Sequence, residues 1–504
     1  MTPIRRFQKI LIANRGEIAL RIQRAVRELK MQSVAVFAPS DRLAQFVLHA
    51  DEAYLLDGTT PTETYLDSRK IIEIALTCGV DAIHPGYGFL SENAEFAEAV
   101  IAAGITFIGP SPDVLRKLGS KTSARELAQA ANLAIVPGTI KPVSNPAIAA
   151  TTAAQIGFPI LIKAAGGGGG KGMRIVSTPE ELQNSLERAS SEALKSFVDG
   201  RVYLEKYLVD PRHIEIQILA DNYGTVLHFG ERECSIQRRH QKVIEECPSS
   251  VLTPKLRQAM GGAAVRIASL CSYTGAGTVE FLLDADGEFY FLEVNTRIQV
   301  EHPITEMVYG FDLVKAQIRI AEGEKLSIAQ KDIYPQGHAI ECRICAEDPD
   351  NGFLPSTGHI TAYQPAEGPG IRNDSGISVE MEVTPLYDPL LAKLIAWDKD
   401  RDACTSKMVR ALEDYHIAGV KTTIPFCLWA LQQPQFASGT YDVNFIAKFF
   451  RESTIEPSVD ELSAAGIAAD VLELEQPTTG IIGRAFTGAN ASKWKQRSGG
   501  WKNR

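Results

Sequence analysis

The sequence predicts a multidomain α/β protein that opens on a parallel sheet. Three observations predict it. Strand and helix patterns alternate through the first third, 504 residues exceed what one core holds, and later breaks in pattern divide the rest. Lys9-Ile-Leu-Ile-Ala13 reads as a short buried strand, and Asn14-Arg15-Gly16-Glu17 opens an amphipathic helix reaching about Leu29. Strand Ser33–Phe37, helix Ile71–Leu76, strand Asp81–His84, helix Glu92–Ala103 and strand Thr106–Ile108 follow. Strands separated by helices require right-handed crossovers and so a parallel sheet. Loops after such strands lie at its carboxyl edge, where ligands bind. Two of them are rich in polar groups: residues 14–17 and His84-Pro-Gly-Tyr-Gly-Phe-Leu-Ser-Glu92.

From about Pro110 the pattern changes to a helix, Lys121–Ala130, and then to mixed strands. Pro137, Gly138, Pro142 and Pro146 mark a linker-like stretch. A second break falls near Glu322, after a helix Asp312–Ile320. Residues 338–448 alternate short strands and turns before two helical segments, and residues 451–504 read as a weakly ordered tail.

Composition narrows the class. Hydrophobic residues at 45% and charged residues at 22% are values of a soluble globular protein. A net charge of −9 argues against a nucleic-acid partner, though not against ATP, which needs only local amides and lysines. No window approaches the ~18 consecutive apolar residues of a membrane helix. The first apolar run is short and meets Asn14, Arg15 and Glu17, unlike a signal peptide. Eight scattered cysteines fit a reducing cytoplasm. Cys342 and Cys345 form a C-x-x-C, but on a strand they face opposite ways and read as core thiols, not as a zinc site.

Three segments carry chemistry. In Lys163-Ala-Ala-Gly166-Gly-Gly-Gly-Gly170-Lys171-Gly172-Met173, five successive glycines expose amides that can wrap phosphate oxygens, with two lysines supplying charge. Lys171 is followed by Gly172, so this is not a P-loop. Between the strand patterns 160–163 and 173–176, a phosphate-covering hairpin is favoured over a linker. In the second segment, Asp286-Gly287 signals a two-residue turn between Thr278–Ala285 and Glu288–Asn295. That register sets Glu280 opposite Glu293, two carboxylates whose repulsion a divalent cation would relieve, with Asn295 on the same face. Glu293, Asn295, Arg297, Gln299 and Glu301 continue one parity, as a solvated sheet face would too. The third segment, Glu231 to Lys242, has a charged exposed loop as its plain reading, one that several of its members should fit, while the alternation His213-Ile-Glu215-Ile-Gln217 could line the same cleft.

These motifs resemble those of biotin carboxylases of the ATP-grasp superfamily, the first subunit or domain of acyl-CoA carboxylases and of pyruvate carboxylase. The stretches that carry the resemblance are Ile12–Ala19, His84–Asn93, the glycine run, Glu233–Glu246, Glu293–Pro303, Glu341-Cys-Arg343 and Tyr387-Asp388. The resemblance implies a Rossmann-like parallel-sheet domain (1–116) and an ATP-grasp domain (117–332) with a glycine-rich lid (134–206). An α+β C-terminal domain (333–450) completes it.

For ATP it implies Lys121 and Lys163 on the phosphates beneath a lid of Gly167, Gly168, Gly169, Gly170 and Met173. Glu205, Lys206 and Leu208 would read adenine, His213, Gln237 and His240 would lie along ribose and phosphates, and Leu282 would sit under the base. Glu280, Glu293 and Asn295 would hold one or two Mg²⁺ or Mn²⁺ ions. Lys242, Arg297, Gln299, Val300 and Glu301 would bind bicarbonate, with Glu301 as base, and Arg343 and Tyr87 would serve biotin. Cys247, Cys345 and Leu386 stand where the family has Ala, Asn and often Tyr. No Ala-Met-Lys-Met segment is present, so biotin is expected on a separate carrier protein, with carboxyltransferase subunits and a homodimer as further expectations. Other ATP-grasp ligases would lack Arg343 and the His84–Asn93 loop. A silent ATP-binding regulator would not keep Glu301 and Lys242, and a dinucleotide dehydrogenase rests only on an incidental glycine match.

Overall fold

Strands β1 (Lys9–Ile12), β2 (Gln32–Phe37), β3 (Glu52–Leu55), β4 (Ala82–His84) and β5 (Thr106–Phe107) form a parallel sheet in the order β3-β2-β1-β4-β5. The computed structural model describes residues 4–139, 142–143, 145–164, 173–197 and 200–451. Every strand and helix expected here is present, with ends moved by one to three residues. The sheet also gains β3, whose alternating, half-exposed Glu52-Ala-Tyr-Leu pattern gave no signal. The helices are set by local caps. Asp67 caps Ser68–Cys78 through Lys70 N, and Asn93 caps Ala94–Ala102 through Phe96 N at 2.7 Å. Because β1 pairs with β4, with Ile12 beside His84, the two polar loops emerge side by side. Asn14 Nδ2 ties them, donating to Pro85 O (2.8 Å) and Tyr87 O (2.7 Å).

Strands β6 (Ile160–Ala164), β7 (Arg174–Val176) and β8 (Val202–Lys206) form a small sheet in the order β7-β6-β8, packed beneath the helices Pro146–Ile156 and Leu182–Phe197. β6 and β7 pair antiparallel as the expected hairpin. The glycine run between them, with Gly167 to Gly170, lies outside the described residues, as does the tail from 452 onward. The stretch 137–147 is more than a linker, since Gly138 and Val143 bridge to β8 at Glu205 and Val202.

The largest sheet is antiparallel. It takes in β9 (Arg212–Ala220), β10 (Val226–Arg238), β11 (Gln241–Cys247), β12 (Gly275–Leu283), β13 (Phe289–Asn295) and β14 (His338–Cys345). Its eight strands run β13-β12-β9-β10-β11-β14, then Leu390–Asp398 and Ile371–Ser375. The last three come from the segment after residue 333, so one continuous sheet carries residues of both the central and the C-terminal stretches. Alternation on β9 sends Ile214, Ile216 and Ile218 into a core with the helices Lys121–Ala130 and Pro254–Leu270. His213, Glu215 and Gln217 are left on the other face.

Two readings are corrected. The segment Glu231 to Lys242 is mostly not an exposed loop. Glu231 to Arg238 continues β10, a 13-residue strand inside the large sheet, and Glu231, Arg232, Glu233 and Ser235 are fully buried. Only Arg239 and His240, both at positive φ, and the adjoining Gln241 are exposed. The Asp286-Gly287 turn is also one residue longer than expected. Asp284 N donates to Glu288 O at 2.9 Å, closing a loop of residues 285–287, and the Asp284 carboxylate accepts from Asp286 N and Glu288 N. Asx-type capping by Asp284 therefore won over the shorter turn.

Candidate active site

The register of four adjacent strands builds the site. Arg232 on β10 stands opposite Glu215 on β9, Glu215 opposite Glu280 on β12, and Glu280 opposite Glu293 on β13. The longer turn would have shifted the last pair, but a bulge at Leu292 restores it, so the expected Glu280–Glu293 pairing holds. Three carboxylates in one row repel, and cations hold them. Arg232, with no solvent exposure, binds Glu215, Gln217 Oε1 (2.6 Å), Thr305 Oγ1 (2.9 Å) and Thr278 Oγ1 (3.0 Å).

Lys242 reaches the same row from β11. A bulge at Val243 puts Lys242 and Glu245 on one face despite their spacing of three. Its ammonium donates to Glu215 (2.5 Å), Glu280 (2.9 Å) and Glu301 (2.8 Å). Burial opposes the Lys242 charge, but these three carboxylates outweigh it and push its pKa well up. Burial alone would raise the Glu280 carboxyl; Lys242 and His213 instead hold it far below the ordinary range. His213 Nε2 lies 2.8 Å from Glu280 Oε2, and Asn295 and Gln299 donate to Oε1 at 2.9 and 3.0 Å. Glu293 opens to the cleft, yet the surrounding chain desolvates it and, with the charge of Glu280, raises its pKa. A paired carboxylate row with an amide beside it matches the oxygen donors Mg²⁺ prefers, and a cation would quench this repulsion.

The strand ends at Asn295, so the expected alternation does not run on to Glu301. Residues 296–301 instead loop inward. Arg297 is clamped by Glu92 (3.0 Å), Gln299 Oε1 (2.6 Å) and Asn295 Oδ1 (3.1 Å), and Glu92 also accepts from Thr296 N at 2.9 Å. The Val300 carbonyl accepts from Lys393 (2.9 Å). Glu301 is fully buried between Lys242 and Arg343, whose Nη2 is 3.0 Å from Oε2. Burial would raise Glu301, but Lys242, Arg343 and Arg232 keep it ionised, well below the usual carboxylate range. Tyr87 bonds Glu17, which pairs with Lys393 at 3.1 Å.

The nucleotide candidates sit on the adjoining strands. Lys163 on β6 and Arg125 both bind Glu205, whose carboxyl they keep low against burial. Lys206 donates to the carbonyls of Gly157 and Phe158 at 3.0 and 3.1 Å, fixing the end of β8 just before Leu208. Leu282 pairs with His213 across β12 and β9. Gln237 lies one residue before the end of β10, and His240 lies near enough to Lys163 and His213 for both to depress its pKa, after burial. Lys121 begins its helix, and its charge acts on Glu293. Met173 is half-buried just before β7.

Sequence reasoning missed Arg232, Glu245, Glu92 and Lys393, and gave Glu215 only a lining role. No local pattern announces them, because each acts through a partner 15 or more residues away. Among the described residues Cys342 and Cys345 belong to no metal-ligand cluster, Cys247 is buried and Leu386 is 43% exposed.

Residues 6–115 match the biotin carboxylase N-terminal domain family, 120–329 the ATP-binding domain of the carbamoyl-phosphate synthase L chain, and 341–448 the biotin carboxylase C-terminal domain. Biotin carboxylase of a Nostoc species is 51% identical over 441 residues, covering 88% of this chain and 99% of its own. The chain belongs to the biotin carboxylase family. Its members are ATP-dependent ligases that carboxylate biotin as the first half-reaction of multisubunit carboxylases. A pyruvate carboxylase subunit of Methanothermobacter thermautotrophicus is 50% identical, covering 88% of this chain and 90% of its own. The biotin carboxylase domain dimer of Hydrogenobacter thermophilus 2-oxoglutarate carboxylase, solved with MgADP, ADP and bicarbonate, superposes with a TM-score of 0.84 at 47% identity. The match covers 88% of this chain and 97% of that one. No helix among the described residues is long and apolar enough to cross a membrane.

Proposed function

We propose that the buried Lys242–Glu301–Arg343 chain is where bicarbonate is activated and biotin receives its carboxyl group. The observation that carries this reading is that Glu301 bonds both cations, alone among the carboxylates of the described residues, within reach of the Glu280 row. Lys242, Arg297, Gln299 and the Val300 backbone would hold the bicarbonate anion. Glu301 would take its proton as the bicarbonate oxygen attacks the γ-phosphate, giving carboxyphosphate and ADP. Held by two cations, Glu301 is a weak base in the free site. As Lys242 and Arg343 turn to the anionic substrates, Glu301 is released and strengthens. Mg²⁺ held by Glu280, Glu293 and Asn295 would supply charge neutralisation at the phosphates. Lys121, Lys163, His213, Gln237, His240 and Leu282 would position ATP, with adenine read at Glu205, Lys206 and Leu208. Arg343, with Tyr87 nearby, would stabilise the enolate-like ureido oxygen of deprotonated biotin.

The domain limits proposed are 1–116, 117–332 and 333–450. The proposed setting is the cytoplasm, as a homodimer serving a biotin carboxyl carrier protein and a carboxyltransferase. The relatives named for pyruvate and 2-oxoglutarate carboxylases stand at 50% and 48% identity, beside 51% for a biotin carboxylase. Such near-equality follows if the chain performs the biotin half-reaction common to all and the partner chooses the acceptor. The test is ADP release from MgATP with bicarbonate and free biotin each omitted in turn. Release should need bicarbonate and rise with biotin, and release indifferent to bicarbonate overturns the reading.

A further inference from the structure

Behind Arg343 lies a carboxylate pair that the reaction scheme leaves unused. Glu245 on β11 and Glu341 on β14 stand directly opposite one another and are 1% and 0% exposed. Glu245 Oε1 accepts from Arg343 Nε at 2.6 Å, while its Oε2 and both oxygens of Glu341 find no hydrogen-bond partner among the described residues. Cross-strand neighbours have Cβ atoms ~5 Å apart, too close for two ionised carboxylates that are both buried. The surrounding charges do not rescue the second one. Arg343 is shared with Glu301, Lys242 with three other carboxylates, and Lys393 is taken by Glu17 and the Val300 carbonyl.

We propose that Glu245 and Glu341 are positioning residues for Arg343, a carboxyl pair that holds one proton between them so that a single negative charge steers the guanidinium. A protonated carboxyl is a donor, so Glu341 can hydrogen-bond the free Glu245 oxygen and fix the carboxylate that grips Arg343 Nε. Burial raises both groups, Glu341 well above the ordinary carboxyl range and Glu245 to about 7, against the pull of Lys393 and Arg343. Arg343 is thereby stretched between Glu245 and Glu301 with its outer edge directed to the cleft. As pH rises and the shared proton leaves, a second charge draws Arg343 inward and biotin-dependent turnover falls.

The inference rests on the assignment of Arg343 to biotin, and the test separates the two. Biotin-dependent and biotin-free, bicarbonate-dependent ADP release are measured against pH for wild type, Glu245→Gln, Glu341→Gln and Arg343→Ala. Glu245→Gln should lower kcat/KM for biotin at least tenfold more than it lowers the biotin-free rate. Glu341→Gln, which cannot ionise, should carry the alkaline limb of the biotin profile upward by about one pH unit or more. Wild type should show a protonated-carboxyl C=O band in the infrared, and Glu341→Gln should lose it. If Arg343→Ala leaves KM for biotin unchanged, the assignment itself fails and the pair loses its role with it. If Arg343→Ala raises KM for biotin but Glu245→Gln depresses both rates alike, the proposal is overturned. A Glu341→Gln profile or infrared band superimposable on wild type overturns it as well.

Discussion

At the scale of single residues, the site is a contest between desolvation and pairing. Five carboxylates, Glu215, Glu245, Glu280, Glu301 and Glu341, are buried around Lys242, Arg232 and Arg343. Removing a charged member of such a network leaves its partner's charge uncompensated, at a cost of about 3–5 kcal/mol. Glu92 is different, because it is half-open to solvent and acts by orienting Arg297 and the adjoining Thr296. Glu92→Gln should therefore raise KM for bicarbonate by about three- to tenfold with little change in kcat, read from initial rates of ADP release. An unchanged KM would remove Arg297 from the bicarbonate site. The placing of Glu280 opposite Glu293 was legible from residue type and short-range parity, whereas Arg297 and Glu301 lie past the end of the strand, where parity no longer applies. Arg232 was not, because a charged residue in a charged run looks solvated until the strands on both sides are known.

Elements show where local rules hold and where they cancel. The Glu280–Glu293 pairing follows from a two-residue Asp-Gly turn, yet the molecule uses a three-residue loop and a compensating bulge at Leu292. The face of Glu293 thus depends on an extra residue that periodicity cannot see. Deleting Leu292 should turn Glu293 and the residues after it to the opposite face, since a one-residue slip reverses every side chain. β13 is the edge strand of its sheet, so the fold should survive. The Mg²⁺ concentration for half-maximal ADP release should rise at least tenfold, and an unaltered Mg²⁺ response would detach Glu293 from the metal. The N-terminal helices, by contrast, were readable to within three residues of their ends, although the caps Asp67 and Asn93, which act on amides three positions away, were not singled out.

Across the whole molecule, one sheet joins the central and C-terminal stretches, and no sequence pattern revealed that continuity. β14 pairs with β11, and buried Glu246 ties them to the helix Arg401–Glu413, bonding His338 (2.8 Å), Arg401 (2.7 Å) and Tyr441. Burial alone would raise Glu246, but His338 and Arg401 hold it down at about 2. A carboxyl lowered on folding stabilises the protein above its unfolded pKa of ~4.3, and that contribution fades as pH falls toward 2. Glu246→Gln should lower Tm clearly at pH 7, by a stability loss on the order of 3 kcal/mol, and the gap to wild type should close below about pH 4. A gap constant from pH 7 to pH 3 would show that the ionised form is not what holds the joint. Three-part organisation was visible in the breaks near residues 110 and 322; the shared sheet depends on pairings about a hundred residues apart, as between Glu245 and Glu341.

The central claim, that Glu301 is the base that activates bicarbonate, is tested most directly by Glu301→Gln. With MgATP, bicarbonate and free biotin, the variant should still bind nucleotide but lose at least about 10²-fold of the bicarbonate-dependent ADP release, the contribution of a positioned general base. A rate within twofold of wild type would contradict the account.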